Sequence, residues 1–302
     1  MEGSIKINLE DLNNIEEEFI NMINIDELKE KFINALPFSY VIIDNFLKEE
    51  YVEELYNQYP EINDSWHVYN NPLEVKYAYD NLNNMPVSFK NFFYYINSDN
   101  FMNKLKKITG IENLEYDPYL HGAGIHAMPT NGRLHMHLDY EKHPYIKNSG
   151  IYTDLGIYKN MGKERRLNLI YFLNKEWKKE WGGELEFWDD TLLTTDTNSI
   201  INEPIPNKKV HIEPIYNRAV FFKTNDVSWH GVPEIIKCPE NIVRKSIACY
   251  WISDLNSEKI HYRSKAKFIK RPWESDDLNN LYKIREERRI INKDLTNYFL
   301  PM

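Results

Sequence analysis

Seven short segments of β-strand character follow one another between about Leu114 and Asp254, and they constrain the fold more than any other feature of this chain. The segments are AGIHAM, RLHMHLDY, RLNLIYFLN, GELEFWD, KVHIEPI, RAVFFKT and RKSIACYWI. Turn-forming clusters such as PTNG, WGGE and KTND separate them, and no helical pattern intervenes. This order predicts a mainly β fold, either a β-sandwich or a double-stranded jelly roll.

The segments on either side of the core have helical patterns. We predict three regions: a helical and strand lead-in over 1–113, the β core over 114–254, and a basic C-terminal helical extension over 255–302. Within the lead-in, apolar residues at helical spacing predict helices at Val87–Ile96 and Asp99–Thr109, and Gly110 ends the second one. Residues 63–85 are rich in Asn and Tyr, and we interpret them mostly as loop, with one strand at most.

The C-terminal extension differs from the remainder in charge. It has 11 Lys and Arg against 7 Asp and Glu, which makes +4 in a chain of net charge −9. A helix is predicted over Asp276–Ile291. Its charges either form a solvated face or provide a docking surface for an acidic partner.

Composition excludes several classes of protein. A chain of net charge −9 is a poor general binder of nucleic acid, because phosphate binding depends on clustered Lys and Arg. Cys238 and Cys249 form no disulfide or CxxC pattern, so a reducing, cytoplasmic setting is expected. The N-terminal MEGSIKINLEDL lacks the features of a signal peptide, and no apolar run reaches the roughly 18 residues of a membrane span.

A set of two histidines and one carboxylate carries the chemistry. Side chains two apart on a strand lie on the same face, so His137 and Asp139 can both face a barrel interior. His230, on a later strand, completes a facial triad of the kind typical of non-haem Fe(II) oxygenases, which leaves three metal positions open. A second pair, His211 and Glu213, lies too close to His230 in sequence for strands to intervene, so we interpret His211 as an ordinary strand residue.

Arg244 is the predicted anion anchor. Alternation along RKSIACYW places Arg244, Ser246 and Tyr250 on one face and Lys245 on the other. An inward guanidinium needs an anionic partner, and its fork matches a carboxylate. In the alternative register Arg244 is solvated and Lys245 faces inward to hold the anion.

These residues lie in segments that resemble a known family. HMHLDY, RRLNLIYFLNKEWKKEWGGELEFWD, YNRAVFFKTNDVSWHGVPE and RKSIACYWI together resemble the prolyl-4-hydroxylase-like branch of the 2-oxoglutarate/Fe(II) oxygenases over about 140 residues. The resemblance implies a double-stranded β-helix core with iron at His137, Asp139 and His230. It also implies 2-oxoglutarate bound at Arg244, dioxygen as oxidant and ascorbate as reductant.

One position departs from the family pattern. Several prolyl hydroxylases have a Tyr where this chain has Phe172, and its phenol helps to hold the distal carboxylate of 2-oxoglutarate. Phe172 cannot donate a hydrogen bond, and strand alternation points Tyr171 the other way. Ser246, or Asn168 on the same face as Phe172, is expected to take over this bond.

Other residues are candidates for the pocket. His135 shares the expected inward face with His137, and His126 can point into the same cavity, each with a role in either substrate contact or packing. Tyr250 and Phe172 lie on inward faces as well. Residues 141–163 form a long connection after the His-x-Asp strand, and such a connection is often a lid or a substrate loop.

The resemblance alone implies the substrate, a prolyl residue in a protein or peptide that would be hydroxylated at an unactivated C–H bond. The alternative is a small molecule or glycan precursor, such as a free amino acid or a sugar nucleotide. A third hypothesis is a non-catalytic metal-binding jelly-roll module. That module is expected to have a broken triad or no anion anchor, and the sequence has neither defect.

Overall fold

A computed structural model describes residues 18–117, 120, 122–139, 163–191, 209–256, 258, 263 and 266–287. Most of the predicted connection at 141–163, and the first 17 residues of the predicted lead-in, lie outside this part of the chain. The helices are α1 (Ile25–Asn34), α2 (Glu49–Asn57), α3 (Val87–Ile96), α4 (Asp99–Thr109) and α5 (Asp277–Glu287). The strands are β1 (Tyr40–Ile43), β2 (His67–Asn71), β3 (Glu74–Tyr79), β4 (Glu115–Tyr116), β5 (Gly124–Met128), β6 (Arg133–Leu138), β7 (Lys163–Phe172), β8 (Leu185–Trp188), β9 (Lys209–Ile212), β10 (Arg218–Lys223), β11 (Trp229–Val232), β12 (Arg244–Asp254) and β13 (Lys267–Phe268).

The strands form one antiparallel sheet that rolls upon itself. Its order is β1-β10-β7-β12-β5-β3-β6-β11-β8-β9, with β2 paired to β3, β4 to β12 and β13 to β6. Residues from β3, β5, β6, β7, β11 and β12 line one common cavity, so the two halves of the path face each other across it. The prediction of a mainly β, double-stranded β-helix fold with flanking helices is confirmed.

The two faces of the central strands have different neighbours. One face of β7 and β12 carries buried apolar residues such as Leu169, Tyr171 and Trp251, which belong to the same core as Phe89 and Phe92 of α3. Tyr171 and Phe92 stack with ring centroids 5.4 Å apart. The opposite face of the same strands lines the cavity, so the helices support the wall of the site from outside.

The two adjacent helices of the lead-in were predicted with their observed bounds. Ser98 caps α4 by accepting a hydrogen bond from the backbone N–H of Phe101. Gly110 ends α4 in the left-handed conformation (φ 71°), which a residue without Cβ adopts at little cost.

The prediction for residues 63–85 was wrong in one respect, because the region contains two strands. β2 and β3 form a hairpin in which His67 lies opposite Ala78, and Asn71 lies opposite Glu74. The Asn71 side chain accepts hydrogen bonds from the backbone N–H groups of Leu73 and Glu74 and so closes the turn. β3 then pairs with β5 and β6, which makes the hairpin part of the cavity wall.

No helix in the described part of the chain is both long enough and apolar enough to cross a membrane. Within its described residues, the C-terminal region contains a short strand, β13, which the sequence did not indicate, and then α5. Within the described residues α5 covers most of the helix predicted over Asp276–Ile291.

Candidate metal centre

Two neighbouring strands bring the predicted triad together. His137 lies on β6 directly opposite His230 on β11, and Asp139 follows the last residue of β6. Within the described residues, one nitrogen from each imidazole and one carboxylate oxygen all lie within 4.8 Å of one another. His137 Nε2 is 3.8 Å from Asp139 Oδ1, and His230 Nε2 is 3.6 Å from Asp139 Oδ2. The three side chains are buried.

Backbone carbonyls set the orientation of both imidazole rings. His137 Nδ1 lies 2.9 Å from the carbonyl oxygen of His135, and His230 Nδ1 lies 2.8 Å from that of Ser228. A carbonyl only accepts hydrogen bonds, so each Nδ1 carries the proton and each Nε2 keeps its lone pair. Both Nε2 atoms face Asp139. This arrangement is the usual second layer of support for histidine metal ligands.

Polar groups hold the carboxylate of Asp139 in place. Asn168 Nδ2 donates to Oδ2 at 3.3 Å, and the Tyr250 hydroxyl donates to Oδ1 at 3.3 Å. Arg165 contributes a guanidinium nitrogen 3.6 Å from Oδ1, and its Cζ lies 3.5 Å from the centroid of the Tyr250 ring. The carboxylate is therefore oriented before any ligand binds.

The sequence interpretation missed Arg165 because a β-bulge moves it. Trp251 of β12 pairs with Leu167, but the next residue, Ile252, pairs with Arg165, so Arg166 is the extra residue in β7. Plain alternation from Asn168 would place Arg166 inward. The bulge turns Arg165 to the cavity instead, while Arg166 binds Glu164 at 2.8 Å.

The protonation states suit metal binding. Burial lowers the pKa of His137 to about 3, with His230 adding to the effect, so His137 is neutral near neutral pH. Burial by itself raises the pKa of Asp139, but His230, Arg165 and His137 together outweigh it and the net pKa is lowered. Two imidazoles and one carboxylate are the donor set that a ferrous ion takes in oxygenases.

Arg244 lies at another part of the same cavity, facing inward as predicted. Its Nε donates to the carbonyl oxygen of Gly183 at 2.6 Å, and its Cζ lies 4.8 Å from the centroid of the Phe172 ring. Among the described residues, its other hydrogen-bond contact is the sulfur of Met128 at 3.7 Å. Neither partner is charged. Burial lowers the pKa of Arg244 to about 9, so the guanidinium stays positive at neutral pH.

The opposite face of β12 carries Lys245, so the alternative register is wrong. The Lys245 ammonium lies over the rings of Tyr56 and Tyr59, at 4.7 and 4.8 Å from their centroids. Arg244, Ser246 and Tyr250 all line the cavity, as alternation predicted.

The glycine turn before β8 shapes the position of Arg244. Gly182 and Gly183 have φ of 69° and 82°, a region that residues with a side chain adopt at a cost. A Cβ on Gly183 would lie 3.1 Å from Arg244 Cδ and 3.4 Å from two side-chain atoms of Ile236. The turn WGGE is therefore required both for its conformation and for the close approach of Arg244.

Three residues proposed to hold the co-substrate or line the pocket lie in different places. Ser246 is on the cavity wall of β12, opposite both His126 and Phe172 in the two neighbouring strands. Asn168 lies beside Asp139, at the metal end of the cavity. Phe172 is fully buried beneath Arg244 and contributes a ring face to the guanidinium.

The prediction that His135 faces inward with His137 was wrong. Three residues of β11, His230 to Val232, lie opposite four residues of β6, Leu134 to His137, so a bulge interrupts the alternation between Leu134 and His137. Leu134 and His137 line the cavity, whereas the His135 ring turns to the C-terminal helix and shares a hydrogen bond with the Tyr282 hydroxyl at 3.1 Å.

The cavity has a volume of about 510 Å³ and has charged groups on its hairpin wall. Glu74 and Lys76 lie two residues apart on β3, Asp80 directly follows the strand, and all three line the cavity. Glu74 is buried and lies 3.5 Å from the Lys76 ammonium. His126 lines the cavity as predicted, and burial lowers its pKa to about 3.

A family model described as the 2OG-Fe(II) oxygenase superfamily matches residues 123–253. This stretch includes the triad and Arg244. Comparison with curated proteins gave no match.

Among solved structures, the chain is similar to a prolyl hydroxylase from Trichoplax adhaerens in complex with a hypoxia inducible factor peptide fragment. That match has 15% identity and a TM-score of 0.44, and covers 76% of this chain and 90% of that one. A prolyl-4-hydroxylase from Pseudomonas putida matches with 12% identity and a TM-score of 0.46, over 77% of this chain and 100% of that one. HygX from Streptomyces hygroscopicus, with nickel, 2-oxoglutarate and hygromycin B bound, matches with 9% identity and a TM-score of 0.39, over 71% and 82%.

Proposed function

We propose that this chain hydroxylates an unactivated C–H bond, with Fe(II) held by His137, Asp139 and His230. The match of residues 123–253 to the 2OG-Fe(II) oxygenase superfamily supports its assignment as a dioxygenase. The observation that carries the proposal is the convergence of these three donor atoms within 4.8 Å in a buried cavity. Bound iron supplies the activation of dioxygen, and the protein supplies orientation and a site shielded from water.

The residues around the triad keep the three metal ligands in one geometry. The carbonyls of His135 and Ser228 hold the imidazoles with their lone pairs toward Asp139. Tyr250 and Asn168 each donate to one carboxylate oxygen, so Asp139 offers its remaining lone pairs to a metal. Loss of such supporting groups typically weakens metal binding about 10- to 100-fold.

Arg244 is proposed to bind the distal carboxylate of 2-oxoglutarate. A buried guanidinium is costly without an anion, and its described hydrogen-bond partners, Gly183 O and Met128 Sδ, are neutral. Arg244 Nε donates to Gly183, so the two terminal guanidinium nitrogens are the atoms that would bind a carboxylate, one to each oxygen. Ser246, two residues along the same strand face, is proposed to donate the hydrogen bond that Phe172 cannot.

The first candidate substrate is a prolyl residue in a peptide or protein. The resemblance of the HMHLDY and RKSIACYWI segments to prolyl-4-hydroxylase-like oxygenases favours it. Apolar groups of Leu134, Ile170 and Phe268 line the cavity together with the triad, which suits the methylene groups of a pyrrolidine ring.

The second candidate is a small polar molecule, such as a free amino acid or a sugar derivative. The charged groups of Glu74, Lys76 and Asp80 on the hairpin wall favour it, since a buried polar wall selects ligands that satisfy its hydrogen bonds. Both candidates require the same metal and co-substrate site.

Succinate formation from 2-oxoglutarate under air, with Fe(II) and ascorbate present, tests the proposal. We expect turnover by the wild-type protein and none by His137→Ala. Mass spectrometry of peptides and of small metabolites after incubation then separates the two substrate classes. If no succinate forms under any condition while metal still binds, the chain is a metal-binding module and the proposed reaction is wrong.

A further inference from the structure

The C-terminal segment, residues 266–287, contacts the proposed metal centre although it lies beyond the residues that match the family model. Strand β13 pairs with β6 so that Phe268 lies directly opposite His137. The backbone N–H of Ile269 donates to the carbonyl of Met136 at 3.0 Å, which fixes the register. Phe268 also lines the cavity.

The Phe268 ring packs against the imidazole of His137. The two ring centroids are 5.3 Å apart and the planes differ by 22°, an offset-stacked arrangement. Phe268 also stacks on Tyr282 of α5, with centroids 6.1 Å apart and planes 16° apart. Phe268 and Tyr282 are both buried. Rotation of the His137 ring would therefore have to displace two packed aromatic rings.

The same segment also supports the carbonyl that orients His137. The Tyr282 hydroxyl shares a hydrogen bond with His135 Nδ1 at 3.1 Å. The backbone carbonyl of His135 in turn accepts the hydrogen bond from His137 Nδ1 at 2.9 Å. Because β6 is bulged at this point, its own pairing with β11 is interrupted, and the side-chain contact from α5 supplies a substitute restraint.

Further contacts hold the segment on the strand that carries the second histidine. Arg271 forms ion pairs with Glu234, which follows β11, and with Glu274 of its own segment. Trp273 packs against Trp188 of β8, which is the neighbour of β11, with ring centroids 5.4 Å apart. The segment is thus fastened to both histidine-bearing strands.

We propose that Phe268 is a positioning residue for the metal: its ring, backed by Tyr282, holds the His137 imidazole in the orientation that binds Fe(II). The proposal rests on the metal site proposed above. The C-terminal segment would then help to orient a metal ligand, a role that its charge pattern did not indicate.

Anaerobic Fe(II) titration of the full chain tests this, with the visible charge-transfer band of the Fe(II)–2-oxoglutarate complex as a second readout. For Phe268→Leu, which keeps an apolar side chain but removes the ring, we expect Fe(II) affinity to fall at least about tenfold and the band to shift or weaken. Phe268→Tyr keeps the ring and is expected to retain affinity within about threefold. Phe32→Leu is the matched control: it makes the same change at a buried phenylalanine of α1 that belongs to the core outside the cavity, and it should leave Fe(II) affinity unchanged.

Unfolding by urea without metal checks that each variant is folded. If Phe268→Leu does not fold, Tyr282→Leu decides, because it removes the ring that stacks on Phe268 and leaves Phe268 itself in place. Weaker Fe(II) binding by this folded variant supports the proposal, and wild-type affinity overturns it. Unchanged affinity and an unchanged band in folded Phe268→Leu overturn it as well, while the triad assignment stands. Failure of the wild-type protein to bind Fe(II) overturns the metal site itself, and this inference with it.

Discussion

Gly183→Ala is the substitution that most sharply tests how Arg244 is placed. Gly183 has φ of 82°, and a residue with Cβ pays about 1–2 kcal/mol in this left-handed region. The added Cβ would lie 3.1 Å from Arg244 Cδ, tighter than ordinary contact, so the arginine must shift. The shift strains the 2.6 Å hydrogen bond from Arg244 Nε to the Gly183 carbonyl. A hydrogen bond from a charged group contributes about 1.5–3 kcal/mol, so we expect 2-oxoglutarate affinity to fall about 10- to 100-fold.

Gly110→Ala provides the control for backbone strain. Gly110 has φ of 71° at the end of α4, and a Cβ there would meet no atom within 4 Å. Gly110→Ala should lose about 1–2 kcal/mol of stability from backbone strain, and Gly183→Ala at least as much, because both force Ala into the left-handed region. Only Gly183→Ala should lose affinity for 2-oxoglutarate.

Urea unfolding and anaerobic titration of the Fe(II)-loaded protein with 2-oxoglutarate measure the two effects separately. The reasoning is refuted if Gly183→Ala binds 2-oxoglutarate as tightly as the wild-type protein does. It is equally refuted if Gly110→Ala loses affinity to the same extent, since strain alone would then explain the result.

Two further predictions concern single side chains of the cavity. Arg244→Lys keeps the charge but loses the forked guanidinium and its contact with the Phe172 ring, so 2-oxoglutarate affinity should fall at least about tenfold at unchanged Fe(II) affinity. Lys245→Arg, on the opposite face of the strand, should change neither affinity. Calorimetric titration of both variants measures the two affinities. The half-buried His126 has a pKa lowered to about 3 from an ordinary 6.5, so below pH 6.5 the unfolded chain takes up a proton that the folded chain does not. The stability present above that pH is therefore lost as pH falls toward 3. From pH 7.5 to 5.5 the loss of unfolding free energy due to His126 is about 1.4 kcal/mol. Measured by urea unfolding over this range, His126→Gln should lose that much less stability than the wild type. The same pH dependence in both proteins would show that the folded chain protonates His126 and would contradict the prediction.

Strand alternation was sufficient to predict the face of β12. Arg244, Ser246 and Tyr250 line the cavity because the inward part of that strand pairs in regular register with both neighbours. The same rule put His135 on the wrong face and missed Arg165, because each is next to a bulge that inserts an extra residue. A bulge depends on the partner strand, and nothing in the local sequence marked either one.

The β2–β3 hairpin was missed for a different reason. Strands are recognised by apolar residues on alternate positions, which reflect a buried core on one side. The inward positions of β3 are occupied by Glu74, Lys76 and Ala78, because this face meets the cavity and not the core. The apolar alternation that marks a strand is therefore absent from β3, because its inward side chains face the cavity where a substrate would bind.

The order of the triad residues along the chain was sufficient to predict that His137, Asp139 and His230 lie together, since two histidines and an aspartate needed only the correct strand pairing to meet. The contact from Phe268 was not predictable, because a two-residue strand leaves no periodicity. Regular strands and helices were thus predictable from the sequence, whereas bulges and the two-residue strand were not.

Anaerobic Fe(II) titration in the presence of 2-oxoglutarate tests the central claim most directly. We expect one Fe(II) bound per chain with a visible charge-transfer band, and neither the band nor stoichiometric binding in Asp139→Ala. A wild-type chain without bound Fe(II), or an Asp139→Ala variant that binds as the wild type does, would contradict the assignment of the site.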